Sequence, residues 1–372
     1  MPNVCLIFHL HHPYHPASYE YPSWRSEFQA TDGESTMRAL VEQSERWLDP
    51  MAIMLRKVIE KHPEIGFGLS VSGNLIEQWE HWSYDSLDLW QQVWKSQAVG
   101  VLPQPMNMSP EILWDRESWL NDIRAYQEKL SLLGGTLSPV AWNPGYLFHQ
   151  YLAWPMQQLG IQGCLVDGDS FGWSGAASHQ VAQIPFQQSF KIAVRDTGWS
   201  HAFESLEALA SGMSPTDLAR RWVADLSKCK ESPVILAVEV SKWVGHPALA
   251  GAMLSFIQQV FNLGKKAGIE WSNPERVLRE HQAKADFPAM DWVVDPHHRA
   301  LMGNIDHHPL AAEMISRWRE AKAKGLELSP SLIDAQHLVA VDDPEAWLGE
   351  GLGKAGQVYG RVMRQMASKW VD

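Results

Sequence analysis

Residues 4–16, VCLIFHLHHPYHP, join an apolar run to a cluster of histidines. The mostly apolar residues 4–8 lead into His9, His11, His12 and His15, which are four histidines within seven positions. A short, nearly continuous apolar run of this kind is typical of a parallel strand buried on both faces. The segment therefore predicts a strand that carries histidines at its carboxyl end.

Six further runs of similar character follow along the chain. Together with the first, they predict strands at residues 4–10, 66–72, 99–102, 139–142, 164–166, 192–194 and 234–238. Helical patterns lie between several of these runs. Strands that alternate with helices predict right-handed βαβ units, and therefore a parallel sheet or barrel.

Composition and charge exclude several classes of protein. The chain of 372 residues has a net charge of -12 and no run of Lys or Arg, which argues against a nucleic-acid partner. The chain contains no stretch of about 18 apolar residues, so no membrane span is expected. The apolar run at residues 4–8 is too short for a signal peptide. Three cysteines, Cys5, Cys164 and Cys229, form no disulfide framework and suit a reducing compartment, so a cytoplasmic protein is expected.

Polar and aromatic residues follow each predicted strand. In a parallel α/β barrel the carboxyl ends of the strands build the functional site. The ends of the seven runs carry His9, His11 and His12; Asn74 and Glu77; Gln104 and Asn107; Trp142 and Asn143; Asp167 and Asp169; Arg195, Asp196, Trp199 and His201; and Glu239, Trp243 and His246. We expect these groups to converge on one rim.

Tryptophan is abundant, with 19 residues in the chain. Most of them are expected in the core. Trp142, Trp199 and Trp243 come directly after strands and beside polar residues, so they are predicted to stack on a sugar ring, to which indole offers a flat face and one N–H donor. A layer of core aromatics at the end of the barrel is the alternative.

Five segments resemble family 57 glycoside hydrolases, the α-amylase and glucanotransferase group. They are FHLHHPY, LSVSGNLIEQWE, VAWNPGYLF, VRDTGWSHAF and LAVEVSKWVGHP. Residues 300–311 resemble a later segment of the same family. The resemblance implies a seven-stranded (β/α) barrel over residues 1–265, and a mainly helical region over residues 266–372 near the barrel mouth. It also implies an α-glucan or related oligosaccharide as ligand, with His9, His11, Glu77 and His246 among the contacts.

The chain departs from the family pattern at its chemical centre. Aligning VAWNPGYLF with the family places Gly145 at the nucleophile position, and glycine has no side chain. Aligning VRDTGWSHAF places His201 nearest the position of the general acid, with Asp196 five residues earlier. Ordinary retaining hydrolysis is therefore not expected.

Other carboxylates offer an alternative. A retaining glycosidase needs two carboxyl groups about 5–5.5 Å apart, and an inverting enzyme needs them about 6.5–9.5 Å apart. Asp167, Asp196 and Glu239, with His201, are the candidate catalytic residues for such relocated chemistry. Turn formation by Asp167 and a local ion pair between Asp196 and Arg195 are the structural alternatives.

Three function classes follow. The first is a family-57-like scaffold that engages an α-glucan without ordinary catalysis. The second is an active glycosidase or glucanotransferase with relocated carboxylates. The third is a metal-dependent carbohydrate hydrolase or deacetylase, in which His9 and His11 would be ligands. We predict no resident metal and no cofactor, and the oligomeric state is left open.

Overall fold

The structure is a computed structural model that describes residues 2–15, 32–108, 112, 115–288 and 292–293. Its strands are β1 Asn3–Leu10, β2 Phe67–Val71, β3 Val99–Val101, β4 Val140–Ala141, β5 Gly163–Asp167, β6 Val181–Ile184, β7 Gln187–Arg195, β8 Val234–Glu239, β9 Glu270–Trp271 and β10 Ala285–Asp286. The seven predicted strands correspond to β1, β2, β3, β4, β5, β7 and β8.

Helices connect most of these strands. They are α1 Gly33–Gln43, α2 Asp49–Lys61, α3 Gly73–Trp82, α4 Tyr84–Trp94, α5 Arg116–Leu132, α6 Ala153–Gln158, α7 Thr197–Glu204, α8 Glu207–Ala210, α9 Pro215–Leu226, α10 Ser241–Val244, α11 Ala250–Lys266 and α12 Pro274–Glu280. Side-chain caps explain several starts: Ser72 caps α3, Asp115 caps α5 and Asp196 caps α7. Within the described ranges, no helix is long and apolar enough to cross a bilayer.

The seven predicted strands pair in parallel. β1 pairs with β2 and β8, β2 with β3, β4 with β5, and β7 with β5 and β8. Between β3 and β4, a parallel bridge joins Val101 to Leu137, and the Trp142 N–H donates to the Pro103 carbonyl at 2.9 Å. These contacts link the seven strands in a ring, with all carboxyl ends at one rim, as expected for a (β/α) barrel.

Three strands were not predicted. β6 runs antiparallel to β7, while β9 and β10 are two-residue parallel strands beside β1 and β6. Strands this short give no periodic signal in a sequence. β9, α12 and β10 all lie in the region predicted to be helical, and residues 294–372 lie outside the described residues. The division at residue 265 therefore stays a prediction.

Alternation along the strands separates two packing surfaces. In β1, Val4, Leu6 and Phe8 pack outward against the helices, whereas Cys5 and Ile7 pack inside the barrel. The interior cluster also includes Leu102, Val140, Leu165, Ala193, Ile235 and Ala237. Because successive side chains point to opposite faces, the residues two positions beyond this cluster also face inward.

Candidate functional site at the barrel mouth

One inward-facing residue from each strand, or from the residues directly after it, forms a layer at the carboxyl end of the barrel. We call it the mouth layer, and it consists of His9, Ser70, Gln104, Trp142, Asp167, Arg195 and Glu239. Strand pairing places His9 beside both Ser70 and Glu239, and Asp167 beside Arg195. Six of the seven residues are at most 4% exposed, and the Glu239 side chain is 19% exposed. Most of this layer is therefore polar and buried, and it closes the barrel below the accessible surface.

Neutral hydrogen bonds hold the histidine side of the mouth. His9 Nδ1 is 2.9 Å from Ser70 Oγ, and Ser70 Oγ donates to Gln104 Oε1 at 3.0 Å. Two residues beyond His9 and Ser70, His11 Nδ1 is 2.9 Å from Ser72 Oγ. Each imidazole is oriented by a hydroxyl of the β2 side. The predicted sugar contacts His9 and His11 are both buried, so their orientation is fixed by the protein itself.

His12 is held in the same way by α3. Its Nδ1 lies 2.7 Å from Gln78 Oε1, and Gln78 Nε2 donates to the His12 carbonyl at 3.1 Å. Burial lowers the pKa of His12 to about 4, and the charges of His11 and His15 contribute in the same direction. His12 is therefore neutral near pH 7.

Aromatic rings connect the two sides of the mouth. The Trp142 ring lies 4.3 Å from the His9 ring and meets Tyr146 edge to face at 5.9 Å. The Arg195 guanidinium lies 4.6 Å from the centre of the buried Tyr146 ring, a cation–π contact. Burial raises the pKa of Tyr146 well above its usual value, so this ring stays a neutral phenol.

Arg195 is the centre of the opposite side. Its Nη1 donates to Asp167 Oδ1 at 3.0 Å and its Nε donates to the Ala237 carbonyl at 3.1 Å. Its Nη2 lies 3.8 Å from Glu204 Oε1. The surrounding anionic groups outweigh burial and raise the pKa of Arg195, which keeps its charge. A buried cation between two buried carboxylates is a structural ion-pair network.

Both carboxylate oxygens of Asp167 accept hydrogen bonds from other residues of the protein. Besides the contact with Arg195, Oδ1 accepts from Thr197 Oγ1 at 2.6 Å, and Oδ2 accepts from Ser170 Oγ at 3.1 Å. The residue is fully buried. Its carboxylate therefore anchors the loop after β5 to the start of α7, and its predicted catalytic role has no geometric support here.

Asp196 also serves the scaffold. Its Oδ1 accepts from the Trp199 N–H at 2.9 Å and caps α7, while its Oδ2 lies 2.8 Å from His179 Nε2. The expected ion pair of Asp196 with Arg195 is not what the structure shows, because Arg195 pairs with Asp167 and Asp196 pairs with His179. Strand pairing turns adjacent side chains to opposite faces, which explains the different partners.

Glu204 and Glu239 share a cation. Lys242 Nζ lies 2.9 Å from Glu204 Oε2 and 3.4 Å from Glu239 Oε2, and the Glu239 N–H donates to Glu204 Oε1 at 2.8 Å. Burial raises the pKa of Glu204, and the charge of Glu239 raises it further. A carboxyl group with a raised pKa can act as a general acid. Of the four candidate residues, Glu239 is the carboxylate in the mouth layer with an exposed portion.

The remaining candidates differ in access. Trp243 is fully buried, stacks at 6.1 Å on Trp47 and donates its indole N–H to the Glu204 carbonyl at 3.0 Å. Its predicted stacking on a sugar does not fit this placement, because both the ring and the donor are used in the core. Trp199 is partly exposed and meets Trp222 edge to face at 5.0 Å. His201 is partly exposed on α7, and His246 is exposed after α10.

Glu77 lies on α3 near a second carboxyl group. Asp122 accepts from the Asn107 N–H and from Asn107 Nδ2, each at 3.0 Å. Burial is the main cause that raises the pKa of Asp122 to about 6, and the charge of Glu77 adds to it. Burial likewise raises the pKa of Glu77. This pair forms the rim beside β2 and β3.

Gly145 occupies a left-handed turn after β4. Its φ is +62°, and the following Tyr146 has a φ of +54°. A side chain at Gly145 would be strained by this backbone conformation. The turn aims the Tyr146 ring at Arg195, so the loop that contains the expected nucleophile position instead supplies an aromatic cover for a cation.

Sequence reasoning missed Tyr146, Glu204, Lys242, His179 and Ser70, whereas Gln104 was among the residues predicted at the strand ends. Inward alternation of β2 would have pointed to Ser70, since it falls in step with Gly68. Glu204 lies on α7 and Lys242 on α10, and only the tertiary structure brings these two side chains together. Among the described residues, no three His, Cys, Asp or Glu side chains are grouped closely enough to hold a metal ion.

The sequence profile of Glycosyl hydrolase family 57 matches residues 5–289. The chain therefore belongs to glycosyl hydrolase family 57. No curated protein matches it in sequence.

Solved structures share the fold. The α-amylase AmyC of Thermotoga maritima has a TM-score of 0.64 at 11% identity, covering 100% of this chain and 93% of that one. The branching enzyme of Thermococcus kodakaraensis, solved with glucose, has a TM-score of 0.64 at 12% identity, covering 98% and 88%. The 4-α-glucanotransferase of Thermococcus litoralis has a TM-score of 0.63 at 14% identity, covering 90% of this chain and 55% of that one. At these identities the likeness establishes the fold and not the activity.

Proposed function

We propose that this family 57 protein binds an α-glucan or related oligosaccharide at the barrel mouth, and that it does not carry out ordinary retaining hydrolysis. The class of ligand is supported by the family and by relatives described as amylase, branching enzyme and glucanotransferase. Partly exposed Trp199, with His201, His246 and Glu239 around the rim, offers an aromatic face and hydrogen-bonding groups to a sugar.

The observation that carries the proposal is the ion-pair network around Arg195. A retaining nucleophile needs a free carboxylate at the reacting carbon. The family alignment puts Gly145 at that position, and the neighbouring carboxylate of Asp167 is buried against Arg195, Thr197 and Ser170. These contacts support the proposal that Asp167 does not act as a replacement nucleophile.

The relocated-carboxylate alternative has one observation in its favour. Glu239 keeps an exposed portion, and its neighbour Glu204 has a raised pKa, which is the relation expected between a general base and a general acid. Lys242 lies between the two carboxylates, and its charge favours the ionised form of Glu204. If turnover exists, Glu239 and Glu204 are the residues to which we would assign it.

A calorimetric titration with maltooligosaccharides tests the proposal. The wild-type protein should bind, and Trp199→Ala should bind roughly fivefold more weakly, because one stacking contact of about 1 kcal/mol is lost. His81→Ala, on the exposed last turn of α3, is the matched control and should bind like the wild type. Lack of binding by a folded wild-type protein would overturn the proposal.

Product analysis with an activated aryl α-glucoside distinguishes the proposal from the relocated-carboxylate alternative. The wild-type protein should not hydrolyse this substrate to the free aryl alcohol and a sugar of retained anomeric configuration. If it does release aglycone, Glu239→Gln should abolish that activity under the relocated scheme. Gly145→Glu combined with His201→Asp should give detectable turnover above the single variants only if the alignment is right and the turn tolerates the new side chain.

The cytoplasm is the compartment that we propose. All three cysteines are free thiols, and burial raises the pKa of Cys5 and Cys164. Unpaired cysteines are typical of reducing compartments.

A further inference from the structure

An exposed aromatic face lies outside the barrel mouth, on α6 and the turn before it. Tyr151 is 69% exposed and Trp154 is 65% exposed. They are three residues apart on continuous helical backbone, so they are neighbours on one side, and exposed Gln158 extends the same side. We call Tyr151, Trp154 and Gln158 the α6 face. The opposite side of this segment is buried through Leu152, Ala153 and Met156.

The Tyr151 end of this face is held in place. The His149 ring stacks on the Tyr151 ring at 4.8 Å, with 26° between the planes. The Tyr151 N–H donates to His149 Nδ1 at 3.2 Å, and the Trp292 ring lies 5.2 Å from His149. An exposed ring that is already oriented by a neighbour loses little conformational freedom when a ligand packs on it.

The chemistry of the surrounding segment selects the ligand. Residues 130–166 contain no Asp, Glu, Lys or Arg, and α6 carries the side-chain amides of partly exposed Gln157 and exposed Gln158. A partner recognised through charge would find no complementary group in this segment. Flat aromatic rings with amide donors and acceptors complement a neutral polyhydroxylated ring, which has an apolar C–H face and a hydroxylated edge.

We propose that the α6 face is a second binding surface for an α-glucan chain, separate from the barrel mouth. It rests on the proposed function only for the identity of the sugar. The loop from Trp142 in the mouth layer to His149 leads directly to it, so the two surfaces are joined by one short stretch of chain. A polymer would engage both surfaces and gain avidity, whereas a short oligosaccharide would occupy the mouth alone.

Two measurements on the same variants test this assignment. Migration in native gels that contain glycogen reports polymer binding, and calorimetry with maltotriose reports binding at the mouth. The double variant Tyr151→Ala with Trp154→Ala should bind glycogen roughly 25-fold more weakly, since two stacking contacts of about 1 kcal/mol each are lost. Its maltotriose affinity and its melting temperature should equal those of the wild type. Tyr84→Ala removes a tyrosine of similar exposure, 66%, from α4 and is the matched control.

The outcomes are separable. Unchanged glycogen retardation of the double variant, or no retardation of the wild type, overturns the second surface and leaves the mouth proposal standing if maltotriose still binds. Retardation that depends on Tyr151 and Trp154 in a protein that does not bind maltotriose supports the second surface and overturns the mouth proposal. A change in oligomer size with unchanged glycogen binding would assign the α6 face to self-association, which also overturns the inference.

Discussion

The two sides of the barrel mouth are built from different chemistry. On the β1–β2 side, His9, His11 and His12 are held by neutral partners, two serine hydroxyls and one glutamine amide. On the β5–β8 side, Arg195 and Lys242 are held by carboxylates. We refer to them as the histidine side and the arginine side. The three histidines and Arg195 are buried, whereas the Lys242 side chain, on α10, is 43% exposed.

The difference shows which side of the mouth is more costly to disrupt. A buried ion pair is costly to disrupt, because each partner left behind is an uncompensated charge. A neutral hydrogen bond contributes only about 1 kcal/mol to stability. We infer that the arginine side is the more rigid part of the mouth and that the histidine side is less costly to alter. The following variants test that contrast, from the largest expected effect to the smallest.

Replacing Arg195 should have the largest effect. Arg195→Met leaves Asp167 and Glu204 buried without their cation, so we expect the free energy of unfolding to fall by roughly 3–5 kcal/mol. Urea denaturation measures it. Arg38→Met removes an exposed pair with Glu34 and should change stability by less than about 0.5 kcal/mol. An equally small loss for both variants would remove the distinction between the two sides.

The histidine side should respond to acid through His12. Its folded pKa of about 4 lies below the unfolded value, so the unfolded chain binds the proton first as pH falls. The stabilisation is complete above about pH 6.5 and is lost as pH falls toward 4, by up to about 3 kcal/mol. His12→Gln should flatten this dependence, and His81→Gln should not. An unchanged slope in His12→Gln would assign the acid sensitivity elsewhere.

The turn that covers Arg195 should tolerate no side chain at its glycine. Gly145→Ala places a Cβ on a backbone with φ of +62° and should cost about 1–2 kcal/mol. Gly251→Ala, in α11 with open space around it, should instead gain a few tenths of a kcal/mol. Thermal unfolding of the two variants gives the comparison. A neutral Gly145→Ala would mean that the turn is free to rearrange.

The neutral network should give the smallest effect. Ser70→Ala removes the hydroxyl between His9 and Gln104, and we expect a loss of about 1 kcal/mol in the free energy of unfolding. Ser131→Ala, exposed in α5, is the control and should be neutral. A loss as large as that of Arg195→Met would show that the histidine side is equally rigid, which contradicts the division of roles.

The location of the site could be predicted from the sequence more fully than its internal contacts. The apolar runs identified all seven strands of the ring, because a strand buried on both faces has a strong local pattern. Since parallel strands end at one rim, the same runs placed His9, Asp167 and Glu239 together. The two-residue strands β9 and β10 were not predictable, because they depend on neighbours distant in sequence.

Residue roles were harder to predict than residue positions. Asp167, Asp196 and Trp243 have the composition of a sugar site, yet the structure uses them for an ion pair, a helix cap and core packing. An Asp or Glu looks the same in the sequence whether its carboxylate faces water or a buried guanidinium. Its role depends on what the other strands place within 3–4 Å.

The sequence by itself determined the family, the seven parallel strands of the ring and the rim on which polar groups converge, because these depend on local periodicity and order along the chain. Only the tertiary structure decided that Tyr146 covers Arg195, that Glu204 joins Lys242 and Glu239, and that Tyr151 and Trp154 remain exposed. Contacts such as that of His9 with Ser70, 61 residues apart, arise from strand pairing. Such pairing brings together side chains whose separation in sequence carries no local signal.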